Sequence, residues 1–185
     1  MGDSFRMDIK NNSVTLYSSQ RDMVVDIIND NGIYFAERRF IKEKYGEVSA
    51  IFLSAYDWYC QNANYYVPKN LKAEAAIWAF YSAEDVSPFP DAKIIKMNVP
   101  LEEAVFFDMN EWASILNFNY IGTAEDRKNF QEKLVQTGVS DNMQVVLSPF
   151  YPLLKKQLQS SWKKLFRYDE QIKKGVRVPV AHIQA

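Results

Sequence analysis

The sequence predicts a single α+β domain in which a short mixed or antiparallel sheet packs against several helices. Three observations carry that expectation. Segments of strand character and of helical apolar spacing follow one another without a regular βαβ rhythm, which separates the chain from parallel α/β folds. No internal repeat, low-complexity tract or flexible linker divides the 185 residues, a length that suits one domain. Hydrophobic side chains make up 48% of the chain and aromatics 15%, which is core-forming rather than disordered composition.

Residues 1–12 carry no element signal and are expected to be disordered. Residues 14–18, Val-Thr-Leu-Tyr-Ser, have the β-branched and aromatic content of a short strand. Ser19 is placed to cap a helix with Met23, Val24, Ile27 and Ile28 at helical spacing, and Gly32 ends it. Residues 33–36 return extended, and 37–44 supply one or two helical turns before Gly46. From Glu47 a longer amphipathic helix puts Val48, Ile51, Phe52, Ala55, Trp58 and Tyr59 on one face, opposite Ser54, Asp57 and Gln61. Pro68 and Asn70 mark a loop, and residues 75–81 are a strand candidate whose alanines also allow a helix.

Residues 87–91 form a proline-punctuated turn. Strands at 93–99 and 104–107 follow; either the two pair, or residues 100–103 between them form a brief helical turn. Asp108 caps a helix through Trp112, Ile115 and Leu116, and Thr123 caps the next, with Asp126 in its first turn. Ser148-Pro149 reads as cap and first residue of a helix whose stripe runs from Phe150 and Leu153 through Leu158 and Trp162 to Phe166. After Gly175, residues 176–184 make a last strand, with Pro179 near its start or at an edge.

Composition narrows the function classes. No apolar run approaches the roughly 18 residues of a membrane span. The N-terminus has no basic start followed by an apolar core, and Arg6 stands where a myristoylation motif at Gly2 wants Ser or Thr. A lone cysteine, Cys60, forbids an internal disulfide and fits a reducing compartment, so a cytoplasmic location is expected. Net charge is -1, which gives no overall attraction to nucleic acid or membrane. Basic residues nevertheless gather near the C-terminus. Lys155, Lys156, Lys163 and Lys164 suggest contact with an acidic protein or nucleic acid, beside the plainer reading of a solvated helix face.

One histidine and one cysteine cannot build a zinc site, and no acidic run resembles a calcium loop, so no metal is predicted. Glycine-rich phosphate loops and a nucleophile elbow are missing. What remains is His182, the one side chain whose ordinary pKa lies near neutrality, two residues before Gln184. On a strand the two share a face. The other clue is aromatic density: Tyr17, Tyr34, Tyr56, Trp58, Trp78, Tyr81 and Trp112 are large apolar bodies with polar handles, suited either to core or to stacking against a planar ligand.

Several of these segments together resemble an uncharacterised bacterial domain-of-unknown-function family, DUF3841. They are Leu16-Tyr17-Ser18-Ser19-Gln20, Ala55-Tyr56-Asp57-Trp58, Ile77-Trp78-Ala79-Phe80-Tyr81, Val105-Phe106-Phe107-Asp108 with Trp112, Trp162 before Phe166, and His182-Ile183-Gln184. The likeness spans nearly the whole chain, implies no activity, and runs on past Ala185 in the family pattern. The layout of opening strand, helix and glycine, then an aromatic strand and a terminal strand, is also similar to ADP-ribosyltransferases. That likeness implies Tyr81 as the stacker on the middle strand and Gln184 as the polar residue of the last. Departures are evident: the first strand offers Tyr17-Ser18-Ser19-Gln20 in place of His or Arg, and Gln184 lacks the charge of the usual Glu.

The expectation is therefore an aromatic cleft for NAD or another nucleotide. Gln184 and His182 are its candidate catalytic residues, and Tyr17, Gln20, Trp78, Tyr81, Asp108 and Trp112 its candidate ligand contacts. The competing expectation is a non-enzymatic interaction module that uses the basic C-terminal helix.

Overall fold

Alternating burial along Ser13–Arg21 makes the first strand, β1, with Val14, Leu16 and Ser18 turned inward. A computed structural model describes residues 4–87 and 89–185. In it β1 pairs antiparallel with β2 (Ala92–Pro100), Ser13 opposite Pro100 and Arg21 opposite Ala92. Far along the chain β3 (Phe107–Asp108) pairs antiparallel with β4 (Ile183–Gln184).

Residues 79–81 join the two ribbons. On one edge Tyr17 and Phe80 exchange N–H···O bonds of 2.8 Å each. On the other, Ala79 and Ala185 exchange bonds of 2.8 Å each, and Tyr81 N–H reaches Ile183 O at 3.1 Å. The resulting order is β2, β1, residues 79–81, β4, β3, antiparallel throughout.

Directly opposed residues of antiparallel strands share a face. Lys96, Tyr17, Phe80, Gln184 and Phe107 therefore form one row across the sheet. Phe107 belongs to the larger core, with Tyr59, Trp112, Ile115, Trp162 and Phe166. The alternate residues Leu16, Ala79, Ile183 and Ala185 belong to a second core on the other face, with Met7, Phe106, Ile172 and Val178.

The larger core is helical: α3 (Ser49–Ala63), α4 (Met109–Leu116), α5 (Ala124–Gln136), α6 (Asn142–Leu147) and α7 (Pro152–Trp162). Trp162, wholly buried, meets Trp58 edge-on at 5.3 Å and donates its indole N–H to Asn119 O at 2.8 Å. Two further helices, α1 (Asp22–Asn31) and α2 (Arg38–Tyr45), lie between β1 and α3 in sequence, and α8 (Asp169–Lys173) follows a 3-10 stretch, Lys163–Tyr168. Gly32 ends α1 at φ 72, a backbone that glycine adopts without a Cβ clash.

Several sequence expectations hold in detail. Asp108 accepts from Asn110 N–H to cap α4, and Thr123 and Asp126 form a reciprocal capping box on α5. Others are corrected. Ser19 caps no helix, because β1 continues to Arg21 and α1 starts without a side-chain cap. Of the two readings of residues 100–103 the helical turn holds: a 3-10 turn, Leu101–Glu103, follows Pro100, residues 93–99 and 104–107 do not pair with each other, and β2 folds back on β1 instead. Helix α7 begins at Pro152 rather than Pro149, since Ser148 ends α6 and its hydroxyl accepts from Phe150 N–H in a local turn. Phe150 and Leu153 accordingly leave the expected stripe and are 82% and 81% exposed.

The last strand is confined to Ile183–Gln184, and Val178 instead bridges Phe5. Residues 4–12, expected to be disordered, pack on the second core through Met7, Phe5 and Ile9. The readings of Gly2 and of a turn at Pro88 lie outside the described residues.

Asp169 ties α8 to the sheet. It is 1% exposed; Oδ1 accepts from Phe106 N–H at 2.8 Å and Oδ2 meets Lys173 Nζ at 2.9 Å. Burial pushes its carboxyl above the ordinary value despite both partners. Asp169→Ala would orphan a buried amide and strand the Lys173 ammonium. The expected loss is about 3–5 kcal/mol, read by urea unfolding.

Asp126 behaves oppositely. The Thr123 backbone N–H, then its hydroxyl, holds the Asp126 carboxyl below its ordinary value. A depressed folded pKa means stability that is present above the unfolded value and lost as pH falls through the folded one. Asp126→Asn should therefore differ from the parent protein at neutral pH and converge with it below the carboxylate range, a comparison made by urea midpoints across an acid series.

Candidate functional site

The same face of the sheet that carries the Phe80–Gln184–Phe107 row opens beside α2 and α4 into a cleft of about 560 Å³. This falls within the size of small-molecule sites. Strand β1 contributes Ser19, Gln20 and Arg21, the linking segment contributes Trp78 and Phe80, α4 contributes Trp112, and β4 contributes Gln184. Helices α2 and α3 close the opposite wall with Phe40, Tyr45 and Tyr56.

The aromatic wall is a mutually packed stack. Trp78 lies on Trp112 with ring centroids 4.7 Å apart and planes at 29°, and Tyr56 lies on the same indole at 5.7 Å and 16°. Trp112 and Tyr56 are buried, whereas Trp78 keeps an accessible edge. Tyr45 and Tyr56 share a hydroxyl contact of 3.3 Å. Burial first, and then that contact, pushes the Tyr56 phenol far above its ordinary value, so it is a neutral hydroxyl at physiological pH.

The polar floor is unusual for its unspent hydrogen-bonding capacity. Gln184 is 5% exposed as a whole, and its carboxamide, which keeps some accessible surface in the cleft, makes no hydrogen bond among the described residues. Ser19 Oγ is enclosed and likewise unpartnered. Unpaired buried polar groups carry a desolvation cost of roughly 1–3 kcal/mol, so native structures seldom keep them without a use. By contrast Gln20 is anchored: its Nε2 donates to Ser18 Oγ at 2.7 Å, and that hydroxyl donates to Trp78 O at 2.7 Å.

Of the residues expected at the site, the fold gathers Gln20, Trp78, Trp112 and Gln184 around one cleft. It does not bring the others there. Tyr17 shares the sheet face but does not line the cleft. Tyr81 points to the opposite face, where Phe5 meets it edge-on at 4.8 Å and its hydroxyl accepts from Asp8 N–H. The ring opposed to Gln184 is that of Phe80, one residue earlier, because β4 pairs Gln184 with Phe80. Asp108 is occupied as the α4 cap.

His182 precedes β4 rather than lying within it, and its side chain is 47% exposed. Its Nδ1 is 2.7 Å from Asp85 Oδ1, and Asp85 does line the cleft. Asp85 is a cleft residue that the sequence did not single out. It belongs to no motif, and only the tertiary arrangement brings it into one lining with Ser19, read in the sequence as a cap, and Tyr56, one of the aromatics suited to a pocket.

The basic C-terminal residues are largely engaged. Lys155 Nζ donates to Val146 O at 2.6 Å, Lys164 pairs with Asp126 at 3.6 Å, and Arg167 pairs with Glu111 at 2.7 Å. Lys156 and Lys163 have no ion-pair partner among the described residues. Among those residues no group of three or more His, Cys, Asp or Glu side chains is arranged to hold a metal ion. No described helix is long and apolar enough to cross a membrane.

Gln184→Met keeps the length and most of the volume of the side chain while removing the unpaired amide. Because the amide keeps accessible surface, the substitution should change the stability of the free protein by less than about 1 kcal/mol, or about 2–4 °C in Tm, measured by thermal unfolding.

Comparison with curated proteins finds no match, and neither does comparison with solved structures, so the ADP-ribosyltransferase likeness draws no support from them. A family model does match, over residues 15–185. That stretch includes every strand of the sheet except the first two residues of β1, and every residue of the cleft. The chain belongs to the family described as a domain of unknown function, DUF3841.

Proposed function

We propose that the cleft binds a nucleotide, with NAD among the candidates, and that the chain is a nucleotide-binding domain of a bacterial cytoplasmic protein. The observation that carries this reading is the unpartnered carboxamide of Gln184 in the same cleft lining as the partly exposed Trp78. A carboxamide offers one acceptor and two donors, the complement of a nucleobase edge or of a nicotinamide amide. Aromatic walls supply stacking to a planar ring. At the rim, Arg21 and Lys44 provide positive charge for phosphate groups, Lys44 lying over the Tyr45 and Phe89 rings at 5.2 and 5.6 Å. The lone cysteine and the family likeness motivate the cytoplasmic and bacterial parts of the proposal.

A second reading keeps the chain as an interaction module. It rests on Lys156 and Lys163, free of ion pairs among the described residues, close in sequence to the exposed Phe150 and Leu153. An acidic protein or nucleic acid bound through these lysines and their neighbours Lys155 and Lys164 would be released by salt, because exposed charge pairs are screened.

Thermal unfolding with millimolar NAD, ATP and ADP-ribose separates the two. A ligand that binds only the folded state stabilises it by about 2.7 kcal/mol at a hundredfold excess over Kd. The expected outcome is a rise in Tm with at least one nucleotide that Gln184→Met abolishes. No shift with any of the three ligands would overturn the nucleotide reading.

A further inference from the structure

The cleft holds two carboxylates, and they differ in what they already bind. Glu37 pairs with Arg39 at 2.8 Å, a permanent cation. Asp85 has a single partner, His182 Nδ1 at 2.7 Å on Oδ1; Oδ2 has none among the described residues. The Asp85 side chain is only 13% exposed, and it belongs to a short 3-10 turn, Ala83–Asp85, whose start is capped by Ser82 Oγ accepting from Glu84 N–H. Its backbone is therefore held, and the imidazole engages one oxygen of its carboxylate and leaves the other free among the described residues. His182 is itself fixed, since its carbonyl accepts from Met109 N–H at 3.1 Å as β4 begins.

A carboxylate oxygen only accepts hydrogen bonds. Its negative charge excludes phosphate from its own neighbourhood, and the cleft cations Arg21 and Lys44 offer phosphate a better place. The aromatic stack and Gln184 suit the planar ring of a nucleotide. The part of a nucleotide left to meet Asp85 is the part rich in hydroxyl donors, the sugar.

We propose that Asp85 is the ribose anchor of the cleft, accepting hydrogen bonds from the vicinal hydroxyls, with His182 as the positioning residue that fixes the carboxylate. The site then selects ribonucleotides over deoxyribonucleotides. This inference rests on the nucleotide reading above and adds the sugar to it.

Hydrogen bonds to a charged acceptor contribute enough that losing one weakens binding roughly 10–100-fold. The test measures dissociation constants for ATP, 2′-deoxy-ATP and 3′-deoxy-ATP, with the parent protein and with the isosteric Asp85→Asn variant. The parent should bind ATP roughly 10–100-fold more tightly than one or both deoxy analogues. Asp85→Asn should bring ATP down to the level of the analogues, leaving little discrimination.

His182, the single histidine of the chain, gives an independent readout. Its imidazole NMR signals need no assignment by mutagenesis, and they should shift on adding ATP and shift less with the analogue that binds weakly. Equal affinity for all three nucleotides would overturn the ribose anchor while leaving the nucleotide reading intact. So would discrimination that survives Asp85→Asn. Failure of the parent protein to bind any of them would overturn both.

Discussion

Residues 79–81 are the piece of chain on which the rest of the architecture depends. Their backbone is paired on both edges, to Tyr17 on one side and to Ala185 and Ile183 on the other. Without them β1–β2 and β3–β4 would be two separate ribbons, and isolated two-stranded ribbons are marginal in water. Because side chains alternate along so short a segment, it also decides which groups face which core. Ala79 and Tyr81 go to the smaller core, while Trp78 and Phe80 go to the cleft face. A slip of one residue would put Tyr81 opposite Gln184 and send the aromatic wall to the wrong side.

The two cores divide the work accordingly. The helical one is dense with rings, Trp58 on Phe166 at 5.9 Å and Phe118 on Trp162 at 6.2 Å among them, and it sets α3 and α4 against the sheet. The smaller one is assembled from both ends of the chain, Met7 near the start and Val178, Val180 and Ile183 near the finish. Asp169 joins them, since it accepts from Phe106, whose neighbour Phe107 already belongs to the larger core. The cleft lies where the larger core is incomplete. Trp78 and Phe80 are only partly covered there, and the polar atoms of Ser19 and Gln184 are not spent on packing.

Local rules were legible wherever a short-range interaction decides the structure. The Asp108 and Thr123 caps, the Gly32 stop and the amphipathic α3 follow from spacing and from side-chain chemistry within a few residues. Pairing was not legible, because it depends on contacts between distant segments. The β2 strand has two conceivable partners by composition, and only the turn after Pro100 sends it to β1. Helix α6 was missed since Asp141 is a cap without a long apolar stripe behind it. At the cleft the split is the same. Gln184, Trp78 and Trp112 stood out as residue types, but Asp85 is an ordinary surface aspartate until His182 arrives from the far end of the chain.

The double pairing of residues 79–81 bears on synthesis. Phe80 emerges from the ribosome well before Gln184 and Ala185, so for most of that interval one of its edges has no native strand to pair with. The sheet can close only after residues 183–185 are available, about a hundred residues beyond Phe80, a topology of high contact order that slows folding. The nascent chain thus carries an open, aromatic strand edge until residues 183–185 have emerged, an interval in which it is exposed to mispairing.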